Sequence, residues 1–130
     1  MCWNCRKYIT TNANLAAIKP KELSFINAAA IPIVFLTVHY AFSIVAKLKK
    51  GEKVLIHAAA GGIGMAAIQI ANLIGAEIFA TVSTDIKRKL VESYGVQPDH
   101  IMNSRNTEYA EQIMRLTGGS GVDVVLNSLT

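Results

Sequence analysis

Residues 54–64 read Val-Leu-Ile-His-Ala-Ala-Ala-Gly-Gly-Ile-Gly, an apolar run followed by a glycine-rich turn. The turn matches the dinucleotide-binding pattern G-x-G-x-x-G, with Ala59 in the first position. Gly61 would let the main chain approach a pyrophosphate closely, and Gly64 would let the following helix pack tightly on the strand. The N–H groups of residues 62 and 63 would hold the phosphates at the positive end of that helix. The alternative is a tight strand-to-helix turn without a ligand, and the surrounding pattern favours the ligand site.

That surrounding pattern alternates short apolar runs with helical periodicity. Residues 53–59, 77–83, 100–103 and 122–127 are predicted strands, and residues 35–48, 62–74, 85–94 and 107–117 are predicted helices. Such alternation predicts an α/β fold, a Rossmann-like doubly wound parallel sheet with helices on both faces. Because a complete domain of this kind has about six strands, the predicted sheet is truncated after about four.

Local signals predict several further boundaries. Residues 8–11 (Tyr-Ile-Thr-Thr) are rich in β-branched side chains and predict a short strand. Ser24 is predicted to cap a short helical turn over residues 25–30, which Pro32 should end. Gly51 is predicted to stop the helix over residues 35–48, and Asn106 to cap the helix over residues 107–117.

The composition excludes several classes of protein. The 130-residue chain is 52% hydrophobic and 17% charged, which excludes a disordered segment. Its net charge of +4 is consistent with an anionic ligand and is a weak nucleic-acid signal. The aromatic residues do not interleave with a basic stripe, so no nucleic-acid partner is expected. The histidines are not spaced as metal ligands, and we interpret each as a satisfied buried or edge histidine.

Two other segments allow further interpretations. Cys2 and Cys5 are the only cysteines, too few for a disulfide framework or a four-cysteine zinc site, so a reducing, cytoplasmic location is expected. Residues 23–46 contain no Lys, Arg, Asp or Glu and are long enough to span a bilayer. Polar residues interrupt this segment, which favours a buried helix in a soluble domain over a membrane span.

The end of the second predicted strand distinguishes the two nicotinamide cofactors. An acidic residue there accepts the ribose hydroxyls of NAD, whereas hydroxyl and basic side chains accept the 2′-phosphate of NADP. Ser83 stands at this position, and Lys87 and Arg88 follow one helical turn later. Basic runs are often only the solvated face of a helix, and Asp85 is either a contrary signal or a helix cap. The balance favours NADPH.

Two more strand ends carry polar residues. Because ligands of open α/β sheets bind at the carboxyl ends of the strands, these residues are candidates for cofactor contacts. Residues 103–105 (Asn-Ser-Arg) would face the adenosine end, and Asn127 and Ser128 the nicotinamide end. Ordinary turn chemistry is the alternative for both.

Three stretches together resemble one protein family. They are residues 31–37 (Ile-Pro-Ile-Val-Phe-Leu-Thr), residues 54–69, and residues 121–129 (Gly-Val-Asp-Val-Val-Leu-Asn-Ser-Leu). In this order they resemble the enoyl reductase domains of polyketide synthases and animal-type fatty acid synthases. Those domains belong to the zinc-free, quinone-reductase-like branch of the medium-chain dehydrogenase/reductase superfamily. The resemblance covers nearly all of the chain from Tyr8 onward.

The resemblance implies a set of cofactor-binding residues. The glycine turn matches the pyrophosphate site, and the two strand ends after it match the 2′-phosphate and adenosine regions. Thr37 would approach the nicotinamide from the other side, although a hydroxyl bonded to its own helix is an equal alternative. The implied residues are Thr37, Ala60, Gly61, Gly62, Ile63, Ser83, Lys87, Ser104, Arg105, Asn127 and Ser128.

The resemblance also implies a reaction and its partners. NADPH would deliver hydride to the β-carbon of an enoyl thioester bound to an acyl carrier protein, and a proton would reach the α-carbon. The implied partners are that thioester and the other domains of a multidomain synthase, with a homodimer left open and no membrane. Residues 1–20 are expected to be the tail of a GroES-like substrate domain, and residues 21–130 an incomplete NADP-binding Rossmann domain.

No catalytic residue is expected within the chain. In the family, a lysine and an aspartate proposed as proton donors follow the fourth strand, beyond Thr130. The chain alone is therefore expected to bind NADPH weakly and not to reduce enoyl thioesters, because nothing holds the substrate over the nicotinamide. A free-standing NADPH:quinone oxidoreductase-like protein, a non-catalytic nucleotide-binding module and a membrane-anchored protein are the alternatives.

Overall fold

Four parallel strands form one sheet in the computed structural model, which describes residues 8–128. The strands lie in the order β3-β2-β1-β4 across the sheet. The chain thus runs outward from β1 in one direction and then returns to its other side, as in a doubly wound fold. The predicted fold class is confirmed. The strands are β1 (Lys53–Ile56), β2 (Glu77–Val82), β3 (Ile101–Asn103) and β4 (Val124–Leu126).

Helices connect the strands at nearly the predicted positions. The helices are α1 (Phe25–His39), α2 (Gly62–Ile74), α3 (Asp85–Ser93) and α4 (Glu108–Leu116), with a π-helix at Tyr40–Val45 and 3-10 turns at Ala13–Leu15 and Pro98–His100. The bounds of α2 agree with the prediction, and Gly75 ends it in the left-handed conformation (φ 81°). The chain divides into two units, Met1–Ala30 and Ile31–Thr130, and the sheet belongs to the second.

The two faces of the sheet bury different side chains. On one face, alternate strand residues such as Val54, Ile56 and Ala80 pack with Ala67 and Ile68 of α2 in the main hydrophobic core. On the other face a smaller cluster consists of Leu55, Phe79, Met102 and Ile113. Burial on both faces explains why these strands read as continuous apolar runs instead of alternating ones.

The segment before the sheet differs most from prediction. Residues 8–11 form no strand, and α1 continues through Pro32 instead of ending there. Proline lacks an N–H, but its fixed φ is helical, so the helix loses a hydrogen bond without having to stop. Ser24 caps α1 as predicted, since its Oγ accepts the Asn27 N–H at 3.1 Å.

The prediction of a buried helix in this segment is wrong. Within α1 and the π-helix, Val38 and Phe42 are buried, whereas Ile33, Leu36 and Ile44 are exposed. Among the described residues, only the side that carries Val38 and Phe42 meets the main core. By length and composition, Phe25–Val45 is one helical stretch that could cross a membrane, a test that core helices also pass.

Two predicted helix ends are also corrected. The π-helix ends at Val45 and Lys47 takes the left-handed conformation, so Gly51 lies in the later turn that leads into β1. The N-cap residue of α4 is Thr107 instead of Asn106, and its side chain makes no capping hydrogen bond. The second error arises because Asn106 and Thr107 are both suited to an N-cap, whereas a lysine in the left-handed conformation carries no sequence signal.

Candidate dinucleotide site

A cavity of about 340 Å³ lies at the carboxyl ends of β1, β2 and β3. This is the edge of the sheet where ligands of open α/β folds bind, and its size is in the usual range for small-molecule sites. The first wall is the glycine turn, and the others are the segments that follow β2 and β3. The lining residues are Ala58, Ala60, Gly61, Val82, Ser83, Lys87, Ser104 and Arg105.

The glycine turn is held close to the sheet. Ala59 donates its N–H to the carbonyl of Thr81 in β2 at 3.1 Å, and Gly61 donates to Ala58 at 2.8 Å. A Cβ on Gly64 would lie 2.5 Å from the Ala59 carbonyl oxygen, so only glycine lets α2 approach this closely. The predicted packing role of Gly64 is confirmed.

The start of α2 offers the donors that a phosphate needs. Gly61 is its N-cap residue and has no side chain to cap the helix. The first N–H groups of a helix have no carbonyl partner within it and carry partial positive charge. Gly62 and Ile63 begin this helix beside the cavity without belonging to its lining.

Ser83 and Lys87 form a pair at the end of β2. Lys87 Nζ donates to Ser83 Oγ at 3.2 Å, one helical turn apart. Thr84, the N-cap residue of α3, accepts the Lys87 N–H with its side chain. The pair therefore presents a hydroxyl and an ammonium group to the same cavity.

Ser104 and Arg105 form the opposing wall, just after β3. Ser104 donates its N–H to the Val82 carbonyl at 2.8 Å. The Asn103 side chain accepts the Arg105 N–H at 2.8 Å. The cavity is thus lined by two cationic and two hydroxyl side chains, with no carboxylate among its lining residues. Such a lining suits a phosphate group.

Arg88 and Asp85 take other positions. The Arg88 guanidinium donates to the carbonyls of Pro98, at 2.9 Å, and Ile101, so it holds the chain that leads into β3. Both residues line a smaller adjoining cavity of about 100 Å³. Arg88 therefore does not belong to the lining of the main cavity, and Thr84 instead of Asp85 caps α3.

Besides Gly62 and Ile63, three predicted site residues lie outside this cavity. Thr37 is exposed in α1, and Asn127 and Ser128 are exposed just after β4. None of the three belongs to the cavity lining. They remain predictions about the nicotinamide end of the cofactor.

Sequence reasoning missed Ala58, which lines the cavity with φ 49°. A left-handed conformation is uncommon for residues other than glycine, and such strain is found at functional sites. Alanine carries no sequence signal for this conformation. The tight turn between β1 and α2, which reverses the chain within residues 57–60, imposes it.

His57 and His100 are satisfied at partly buried and buried positions, as predicted, whereas His39 is exposed in α1 with its Nδ1 3.2 Å from Ser43 Oγ. His57 Nδ1 lies 3.0 Å from Thr81 Oγ1, and its ring meets Tyr109 edge-on. His100 is buried, with Nδ1 3.2 Å from the Ile78 carbonyl and its ring stacked on Phe79. Burial lowers the pKa of His57, so the neutral imidazole is the form that the fold favours.

This burial predicts a pH dependence. A histidine whose pKa is lower in the folded state contributes stability above its unfolded pKa of 6.5 and loses it as the pH falls toward the folded value. The melting temperature should therefore fall as the pH drops below 6.5. His57→Asn should flatten this fall in melts recorded across that range. The control His39→Gln removes an exposed histidine and should leave the fall in place; an unchanged slope in His57→Asn would contradict the assignment.

Together, the fold and the cavity define a doubly wound nucleotide-binding domain. The zinc-binding dehydrogenase family matches residues 62–130, more than half of the chain. The chain belongs to this family. Among residues 8–128, no three His, Cys, Asp or Glu side chains come together in a way that could hold a metal ion. These residues do not fit a zinc site.

Individual relatives indicate which members of this family the chain is similar to in sequence and fold. The highly reducing polyketide synthase ZEA2 of Gibberella zeae is 55% identical over 112 residues, which are 85% of this chain and 5% of that protein. The CurK enoyl reductase structure matches with a TM-score of 0.88 and 54% identity, covering 94% of this chain and 36% of that one. The nucleotide-binding subdomain of the enoylreductase domain of PpsC from Mycobacterium tuberculosis matches with a TM-score of 0.71 and 46% identity, covering 75% and 54%.

These relatives confirm the resemblance to the enoyl reductases of polyketide synthases. The chain spans about 5% of the length of the curated synthases that it matches and about a third of the CurK structure. A nicotinamide cofactor follows from the enoyl reductase fold.

Proposed function

We propose that the chain is the NADPH-binding part of an enoyl reductase that reduces the α,β double bond of carrier-protein-bound enoyl thioesters in polyketide synthesis. The observation that carries the proposal is the cavity beside the glycine turn, where Ser83, Lys87, Ser104 and Arg105 converge without a carboxylate. A dinucleotide with an extra phosphate on its adenosine ribose fits this charge pattern better than one without it.

The pyrophosphate is assigned to the glycine turn. A Cβ on Gly61 would lie 3.2 Å from the Ala58 carbonyl oxygen, so the turn is close-packed, and the Gly61 N–H is already bonded to Ala58. The start of α2 at Gly62 and Ile63 would donate to the phosphate oxygens. Ala60 contributes a small side chain to the same wall.

The 2′-phosphate is assigned to the end of β2. The ammonium of Lys87 already donates to the Ser83 hydroxyl, so both groups are held where a phosphate could replace or join that bond. Arg105 supplies a second positive charge from across the cavity, and Ser104 a second hydroxyl. Charge-assisted hydrogen bonds of this kind are stronger than neutral ones.

NADPH, when bound, would supply the hydride. The residues of this chain bind and orient the cofactor; Thr37, Asn127 and Ser128, which do not line the cavity, are assigned to its nicotinamide end. Residues 1–20 are assigned to the tail of a GroES-like substrate domain and residues 21–130 to the cofactor domain. The other domains of a cytoplasmic synthase, the acyl carrier protein and a second copy are the proposed partners.

Thermal melts with and without nucleotide test the proposal. A ligand that binds only the folded state raises the melting temperature by mass action. NADPH should raise it more than NADH at equal concentration, because only NADPH reaches Lys87 and Arg105 with a phosphate. Equal shifts with the two nucleotides would support a dinucleotide site and would contradict the preference for NADPH. A cooperative melt that neither nucleotide shifts would favour a non-catalytic module.

A further inference from the structure

Asn103 is tied to the cavity wall without being part of it. It is the last residue of β3, is exposed, and lines the smaller adjoining cavity instead of the main one. Its side-chain oxygen Oδ1 accepts the N–H of Arg105 at 2.8 Å, which closes a turn two residues long. The residue that follows it, Ser104, is tied to β2 through the Val82 carbonyl at 2.8 Å.

These two hydrogen bonds have different consequences for the wall. The bond from Ser104 is made by the main chain and would survive any side-chain change at position 103. The bond to Arg105 depends on the Asn103 amide and fixes the backbone from which the arginine side chain leaves. Arginine has many rotamers. A fixed backbone at Arg105 therefore reduces the conformational entropy that is lost when the side chain binds a phosphate.

We propose that Asn103 is a positioning residue for Arg105, and that it raises the preference of the site for a ribose that carries a 2′-phosphate. This inference rests on the proposed function, because it assumes that Arg105 meets that phosphate. In this proposal Asn103 acts through the direction of the neighbouring arginine and not through a contact of its own with the ligand.

The experiment compares two ligands that differ in one group. Adenosine 2′,5′-bisphosphate and adenosine 5′-monophosphate are titrated into the 130-residue chain, and the dissociation constants are measured by calorimetry. Asn103→Ala should weaken binding of the bisphosphate by roughly threefold to tenfold, which is the effect of losing one hydrogen bond. The dissociation constant of the monophosphate should not change. Asn103→Ser retains an oxygen that can accept from the same N–H and should recover part of the loss.

A double-mutant cycle separates positioning from a general effect. If Asn103 acts through Arg105, then Asn103→Ala should add nothing once Arg105→Ala is present. Equal weakening of both ligands, no weakening at all, or full additivity with Arg105→Ala would each overturn the inference. Melts without ligand check that each variant is folded to the same extent.

The outcomes also distinguish this inference from the proposed function. If the unaltered chain binds the two ligands equally, the 2′-phosphate assignment fails, and the inference fails with it. If the unaltered chain prefers the bisphosphate and Asn103→Ala preserves that preference, only the inference is overturned.

Discussion

Gly64→Ala should remove much of the stability of the chain. The added Cβ would lie 2.5 Å from the carbonyl oxygen of Ala59 and 2.6 Å from its carbonyl carbon and Cα. These are main-chain atoms of a buried residue whose N–H is bonded to β2, so no side chain can rotate to make room. The helix must move away from the strand, at a cost of about 3 kcal/mol or more. Urea unfolding should show a large fall in the midpoint.

Gly62→Ala is the matched control for this prediction. Its Cβ would lie 3.4 Å from Val34 Cγ1, the end of a side chain and not a main-chain atom. Because alanine is a better helix former than glycine, we expect a change within about 1 kcal/mol. If both variants unfold at the same urea concentration, the close packing of α2 on the glycine turn would be contradicted.

Much of the sheet could be predicted because its signals are local and agree with one another. β1 is a short apolar run bounded by a glycine turn, and α2 runs from Gly62 to the left-handed Gly75. The parallel direction of the strands then follows from the alternation of strands and helices, since parallel strands need crossover connections. Each of these inferences uses residues within one element or at its ends.

The segment before the sheet could not be predicted as well, because its rules conflict. Pro32 favours a helix end, whereas the apolar residues around it favour continuation, and the structure continues the helix to His39. The apolar sequence of this helix predicts burial, but it does not report which other elements pack against the helix. Ile33 and Leu36 are therefore exposed contrary to the prediction. Burial is a property of contacts between distant residues, which a single pattern does not report.

Some residues of the candidate site could also be predicted from local signals, and others could not. Ser83, Lys87, Ser104 and Arg105 could be predicted because they follow strands, and the ends of parallel strands meet at one edge. Arg88 looked equivalent to Lys87 in the sequence. Its partners are carbonyls of Pro98 and Ile101, which lie ten and thirteen residues further along, so its structural role appears only when β3 is in place.

Lys87→Ala should weaken NADPH binding by roughly tenfold or more and leave NADH binding unchanged. The reason is that a charge-assisted hydrogen bond to phosphate is worth about 1.5–3 kcal/mol, and NADH has no phosphate at this place. The ratio of the two dissociation constants, measured by titration of each nucleotide, reports the effect. A loss of overall stability would lower both affinities together and leave the ratio unchanged.

Lys89→Ala is the control that makes this prediction specific. Lys89 lies on the same helix, α3, and is exposed like Lys87, but it does not line the cavity. Its substitution by alanine removes the same charge. If the lysines attracted NADPH only at long range, both substitutions would weaken NADPH binding. Both losses would then disappear at high salt, because the Debye length falls to about 3 Å at 1 M. A direct contact to the 2′-phosphate should instead confine the loss to Lys87→Ala and persist in part at high salt. Equal losses in the two variants would mean that the basic face of α3 attracts the cofactor without recognising its 2′-phosphate, and the assignment of Ser83 and Lys87 would have to be withdrawn.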